Sequence, residues 1–209
     1  MDSMGGEATE PVFDLSGGAL CLDLVNTVSD WPQGSKDDLP DYGALVAWGR
    51  RSGVLSDDEA ERLARSAARC PEAAARAFRK ALDLRAGLYR IFAAVAAGKS
   101  PPTRDLSAFN RLLGEAMARL HVLPSEGGFK WGWSAESGAL DRVLWPALRS
   151  AADLMTSDRR DRVRQCASET CSWFFIDRSR GGQRRWCDMA VCGNRAKARR
   201  YYRRKKEGA

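Results

Sequence analysis

Apolar positions along the 209-residue chain recur mostly at steps of three and four, the spacing that lines one face of a helix. The clearest stretch opens at Pro71, where a first helical turn tolerates proline. It carries Phe78, Leu82, Leu88, Ile91, Phe92 and Val95 until Gly98 ends it. Ahead of it, Ser56-Asp57-Asp58-Glu59 reads as a capping box, in which the Ser56 hydroxyl accepts the Glu59 amide and the Glu59 carboxylate accepts the Ser56 amide. A shorter helix is expected over Tyr42 to Arg51, with Leu45, Val46 and Trp48 on its apolar face. After Pro101-Pro102, Thr103 is expected to cap a helix striped by Leu106, Phe109, Leu113, Met117 and Leu120. Leu140 to Met155 returns to helix, with Pro146 at a bend or in the first turn. The period drops to two only near His121 to Trp133, where Pro124, Gly127-Gly128 and the alternation Phe129/Trp131/Trp133 predict a two-stranded hairpin. Phe13 to Thr27 predicts a strand and then a helical stretch with Leu20, Leu24 and Val28 on one face, and Trp31 to Pro40 a loop. Residues 1–12 form a loose polar lead, and no internal repeat is visible. The fold class is mainly α: a helical N-terminal domain over 13–158 with one small β-hairpin.

Composition narrows the class without changing it. At 44% hydrophobic and 29% charged residues the chain is ordinary globular protein, which excludes disorder, collagen and coiled-coil arrays, and a chain of this mass buries roughly 70% of its unfolded surface. The longest apolar-rich run, Ile91 to Ala97, is far short of the roughly 20 residues a membrane span needs, and the N-terminus lacks a basic export region. A cytoplasmic protein with no membrane partner is expected. Charge is divided unevenly: residues 1–158 hold 18 Lys+Arg and 22 Asp+Glu, residues 159–209 hold 16 and 5. The basic tail predicts a polyanionic partner.

Four of the six cysteines lie in that tail as two C-x4-C pairs, Cys166/Cys171 and Cys187/Cys192, fifteen residues apart. Each pair can turn both sulfurs towards one point. The interval suits a hairpin of Trp173 to Ile176, a Gly181-Gly182 turn and a returning Arg184 to Trp186. Four thiolates predict one tetrahedral Zn2+, and with every position taken by protein the metal is structural rather than catalytic. Its formal charge of −2 would be offset by the surrounding arginines. Cys21 and Cys70 have no partner at ligand spacing and read as ordinary thiols. On this basis Cys187→Ser is expected to unfold the finger alone.

After Cys192, Asn194 is a candidate N-cap for a helix in which Arg195, Arg199 and Arg203 share one face, with Arg200 and Arg204 beside it and Lys197 between. Ala198 with Tyr201 or Tyr202 is expected to pack back on the hairpin, and Gly208 to end the run. Such a helix suits phosphate contacts and a major groove, assisted by Arg178, Arg180, Arg184 and Arg185 of the hairpin. It lacks the apolar face of a lipid anchor. Duplex DNA is the leading partner. An RNA-binding or ribosome-associated module, with Trp173, Trp186, Tyr201 and Tyr202 stacking on bases, is one alternative, and an adaptor for an acidic protein is another. One finger covers few base pairs, so sequence-specific control calls for a homodimer or a partner.

The string Cys192-Gly193-Asn194-Arg195 with its upstream cysteine pairs resembles the CGNR zinc fingers, a zinc-ribbon or treble-clef-like class. Leu20-Cys21-Leu22-Asp23-Leu24-Val25-Asn26-Thr27 is similar to the opening signature of the helical ABATE domain that accompanies this finger. The resemblance runs from Phe13 to Tyr202. It implies a bacterial stress-response transcription regulator, with a DNA-binding finger over 159–209 and a small-molecule-sensing role for 13–158. Candidate pocket residues are Asn26, Arg85, Asn110 and Trp133, with Asp23 and Trp131 near them in pattern. Each also has a plain structural alternative: Asn26 satisfying buried backbone, Arg85 pairing with Asp23 or Glu115, the tryptophans as core. No enzyme is expected, since there is no Gly-rich phosphate loop, His-Glu metal motif or G-x-S-x-G elbow, and His121, the only histidine, stands without a nucleophile motif.

Overall fold

The computed structural model describes residues 13–34, 36–134 and 139–207. The loose lead over 1–12 and the stop at Gly208 lie outside the described residues. Seven α-helices and three two-stranded antiparallel sheets are found among those described: α1 (Leu20–Val25), β1 (Val28–Ser29), β2 (Lys36–Asp37), α2 (Tyr42–Arg51), α3 (Asp57–Arg69), α4 (Pro71–Ala96), α5 (Thr103–Met117), β3 (Leu120–Ser125), β4 (Gly128–Trp133), α6 (Trp145–Thr156), β5 (Val163–Gln165), β6 (Phe174–Ile176) and α7 (Asn194–Glu207). The class is mainly α, as the spacing predicts, and no helix among the described residues is long and apolar enough to cross a membrane.

Local chemistry starts and stops these helices where the sequence suggests. Asp41 caps α2 by accepting the Ala44 amide, and Ser56 and Glu59 form both hydrogen bonds of the capping box on α3. Pro71 and Pro146 sit in first turns, where a missing amide costs nothing. Thr103 departs from expectation: it is the first helical residue of α5, Pro102 occupies the cap position, and no side chain caps the turn.

The 26-residue α4 is the spine, touching α1, α2, α3 and α5. Its buried line is Ala74, Ala77, Ala81, Leu84, Leu88, Ile91 and Phe92; Phe78 and Leu82, expected inward, are only half-buried. Alanines fill the N-terminal half of this face and Leu84, Leu88, Ile91 and Phe92 its C-terminal half. On α5 the buried line is Phe109, Leu112 and Ala116, while Met117 is exposed. Gly49 leaves room on α2, since a Cβ there would lie 2.5 Å from Val143 Cγ2.

The expected strand before α1 does not form. Phe13 instead plugs the core as a single side chain, and Val28 leaves the helical face to pair with Asp37 across β1–β2. The β3–β4 hairpin is present, with Leu120↔Trp133, Val122↔Trp131 and Pro124↔Phe129 on one face. Trp133 packs on Trp145, whereas Trp131 and Phe129 stay exposed. The core runs without a break into the C-terminal segment: Val163, Phe174 and Ile176 belong to the same buried cluster as Leu22, Leu88 and Phe92.

Candidate metal centre and nucleic-acid interface

The first cysteine knuckle grows out of β5 and returns into β6. Cys166 N–H donates to the Trp173 carbonyl, and Cys171 N–H to that of Ser168, closing a tight loop. The partner of β6 is β5, with Val163↔Ile176 and Gln165↔Phe174, and not the Arg184–Trp186 stretch that the sequence pairs with it. That stretch is irregular. Ala167 N–H holds it through the Arg185 carbonyl, and Arg184 donates from Nε to the Trp186 carbonyl and from its terminal nitrogen to the Cys187 carbonyl. Asp177, 1% exposed, sets the loop between: its two oxygens accept the Ser179 and Arg184 amides. Burial opposes its charge, yet these hydrogen bonds hold the carboxyl below its ordinary range. Sequence reasoning passed over Asp177; the Asp-x-Ser spacing of a side-chain-closed turn was its signal.

The second knuckle is a π-helical turn, Met189–Gly193, capped by Asp188 accepting the Val191 amide. It runs straight into α7. Asn194 therefore does not act as the N-cap the sequence suggests: it is the first residue of α7, and its side-chain amide donates to the Ala190 carbonyl.

Together the knuckles bring Cys166, Cys171, Cys187 and Cys192 into one group, all buried, with every sulfur within 4.8 Å of the others. Cys187 lies 3.7 Å from both Cys171 and Cys192, none of them in a disulfide. A tetrahedron with sulfur about 2.3 Å from zinc has edges of about 3.8 Å, so the observed group fits that metal with little adjustment. Zinc binding would take all four sulfurs as thiolates and release their protons. Phe175, Trp173 and Trp186 wall the group off, and the Arg184 guanidinium lies 4.7 Å over the Phe175 ring. The four cysteines form a candidate single zinc site, closed to water and substrate.

The structure sorts the basic residues by direction. Arg195 and Arg199 both reach the Thr170 hydroxyl at 3.2 Å, and Arg199 and Arg203 approach Glu169 at 3.4 and 3.6 Å. The shared face of Arg195, Arg199 and Arg203 thus leans on the first knuckle. Ala198, Tyr201 and Tyr202, expected to pack back, are exposed instead, the tyrosines at 64% and 68%. Lys197, Arg200 and Arg204 consequently line the outward face. Arg178 and Arg180 are exposed on the loop, Arg178 within 3.5 Å of the Gly18 carbonyl, and Arg185 stacks over Trp186 at 5.4 Å. Arg184 is taken up inside the finger.

The four residues considered for a ligand pocket are not brought together. Asn26 makes a two-way pair with Phe174, its amide donating to the carbonyl and its oxygen accepting the amide, both at 2.8 Å. That bears out its plain alternative, buried backbone satisfied. Arg85 is buried, but pairs with neither Asp23 nor Glu115: its two terminal nitrogens grip Asp37 at 2.7 and 2.6 Å, and one also reaches Thr27 Oγ1. Asn110 is exposed on α5, and Trp133 belongs to the hairpin base. The Asn26 pair is one of several ties between body and finger, with Trp173 Nε1 donating to the Val28 carbonyl, Ile176 N–H to the Gly17 carbonyl and Gln165 to the Tyr89 hydroxyl.

Comparison with known proteins agrees with this architecture. The family model ABATE, described as "Putative stress-induced transcription regulator", matches residues 18–158, and that of the CGNR zinc finger matches residues 162–205. No curated protein matches the chain. Neither matching family is an enzyme family. With the first model spanning more than half of the sequence and the four cysteines gathered as the second requires, the chain belongs to the ABATE family and ends in a CGNR zinc finger.

Proposed function

We propose that this protein is a zinc-dependent DNA-binding transcription regulator whose helical domain senses a small molecule. The observation that carries the DNA half is the outward face of α7. Lys197, Arg200 and Arg204 face solvent on a helix braced from behind by Arg195, Arg199 and Arg203 on Thr170 and Glu169. A cationic row on a zinc module suits phosphate contacts, and Arg178, Arg180 and Arg185 are exposed elsewhere on the finger. The stress-response role rests on the family description, and a bacterial cytoplasm is proposed as its place of work. A single finger covers few base pairs, so two copies act on one operator.

The test is fluorescence anisotropy of the zinc-loaded chain on random duplex DNA at about 50 and 200 mM salt. Affinity should fall on the order of 10³-fold between these, and Lys197→Ala/Arg200→Ala/Arg204→Ala should lower the slope of log K against log salt by about three. An unchanged slope in that variant removes α7 from the interface. Ending the chain at Asp158 is a poor control, since Val163, Phe174 and Ile176 complete the body's core. Exposed Tyr201 and Tyr202 favour a second outcome, base stacking on single strands, and RNA that displaces duplex at equal concentration would assign the finger to RNA. Failure to bind either at low salt would leave an acidic protein as its partner. A complex whose mass holds one chain per operator-length duplex would exclude the dimer.

A further inference from the structure

The β3–β4 hairpin leaves the helical body as an arm of which only the base is packed. Trp133 lies on Trp145, and the Arg149 guanidinium covers one side of the Trp131 ring at 4.9 Å. Further out, Val122, Phe129 and Trp131 share one face of the arm and stay exposed, Phe129 at 79% and the other two at 57%. A two-stranded hairpin by itself is marginal in water, and further strands with an apolar face are what make such an element secure.

The turn fixes which backbone groups of the arm are left over. Glu126-Gly127 is a two-residue loop, so the closing pair Ser125↔Gly128 exchanges hydrogen bonds, and so do Leu123↔Lys130 and His121↔Gly132. The residues between them, Leu120, Val122 and Pro124 on β3 and Phe129, Trp131 and Trp133 on β4, turn their amides and carbonyls outward. Pro124 has no amide to offer, which blunts the β3 edge. The β4 edge keeps all its donors, and among the described residues neither a third strand nor any other backbone group takes them.

We propose that the β4 edge docks the β4 edge of a second copy of this chain, antiparallel about a two-fold axis at Trp131, so that the two arms make one four-stranded sheet. The strand is complementary to itself in this register: Trp131 exchanges hydrogen bonds with Trp131 of the second copy, and Phe129 with its Trp133. The exposed Phe129 of each arm thereby comes beside the packed base of the other, and Val122, Phe129 and Trp131 of both copies join into one apolar face. Lys130, the only charge on β4, falls opposite Gly132, whereas a register centred on residue 130 would set it against another lysine. The exposed parts of the four rings amount to about 500 Å², taking 150–250 Å² per ring, and specific interfaces begin near about 1,200 Å². With Val122 and the paired strand edges added, the contact belongs to the weak end of specific interfaces, and association is expected in the micromolar range. The proposal deepens the two-copy part of the proposed function and rests on that reading for its purpose, but the contact itself needs no DNA.

Sedimentation equilibrium of the zinc-loaded full chain without DNA, from about 1 to 200 µM, tests it. The mass should rise from one chain to two across this range. Phe129→Lys changes the most exposed side chain of the arm, so it should leave the far-ultraviolet circular dichroism unchanged while weakening association at least tenfold. Amide hydrogen exchange supplies a second readout: the Phe129 and Trp131 amides should exchange at least tenfold more slowly in concentrated than in dilute protein, while those of Leu123 and Lys130, bonded within the arm, are protected in both. A single chain at every concentration, a dimer indifferent to Phe129→Lys, or a dimer whose Phe129 and Trp131 amides exchange as in the monomer each overturns the proposal. A monomer whose arm amides become protected only on phosphatidylcholine vesicles overturns it too and gives the arm to a lipid surface. Two chains found on one duplex when the free chain is monomeric would sink the arm contact alone. A free dimer that binds no duplex would sink the DNA reading and leave the arm contact standing.

Discussion

At the scale of single residues, Asn26 and Asp23 show how a short signature in the sequence becomes a joint. Both lie at α1, and Asn26, 3% exposed, pairs with both backbone groups of Phe174, itself fully buried. Asn26→Leu would strand a buried amide and a buried carbonyl, for which the expected loss is about 2–4 kcal/mol, read from the denaturation midpoint of the zinc-loaded chain. A midpoint unchanged by this substitution would show that water reaches Phe174. Asp23 accepts the Gly17 amide at 2.8 Å, and Gly17 in turn accepts from Ile176. Burial raises the Asp23 carboxyl from 3.8 to about 6, against the Gly17 hydrogen bond. Its folded pKa lies above the unfolded one, so the neutral form's contribution is complete below about pH 4 and is lost as pH rises through 6. Asp23→Asn keeps an acceptor for Gly17 and removes that loss. Relative to the parent it should gain up to about 3 kcal/mol between pH 4 and 7, and parallel pH profiles for the two chains would refute this.

At the scale of elements, β6 decides more than its three residues suggest. Phe174 and Ile176 face the body's core, while Phe175 between them faces the zinc cluster, so one strand is shared by two interiors. Alternation along a strand requires that division. The expectation that Cys187→Ser would unfold the finger and spare the body is therefore revised. Loss of zinc should loosen β6 and lower the stability of both parts in a single cooperative transition. Amide hydrogen exchange of α2 and α6, followed during chelation, checks this; protection that stays native in both helices after zinc release would restore the independent body. Most elements were legible beforehand because caps, prolines and spacing act locally, as at Ser56 and Pro71. The direction of α7 was not, since it depends on Thr170 and Glu169, some 25 to 30 residues earlier in the chain.

Across the whole molecule, a near-balanced helical body and a strongly basic finger share one core, with α4 as the common wall. The helical class, the hairpin, the four cysteines and the basic tail were legible before folding, because each rests on spacing, turn chemistry or composition within a few tens of residues. Long-range packing decided that β6 pairs with β5, that Asn26 pairs with Phe174, that Arg85 pairs with Asp37, and which arginines of α7 face outward. Those outcomes depend on side chains that meet across long stretches of chain, where burial presses most polar groups to find a partner and geometry, not spacing, selects which one.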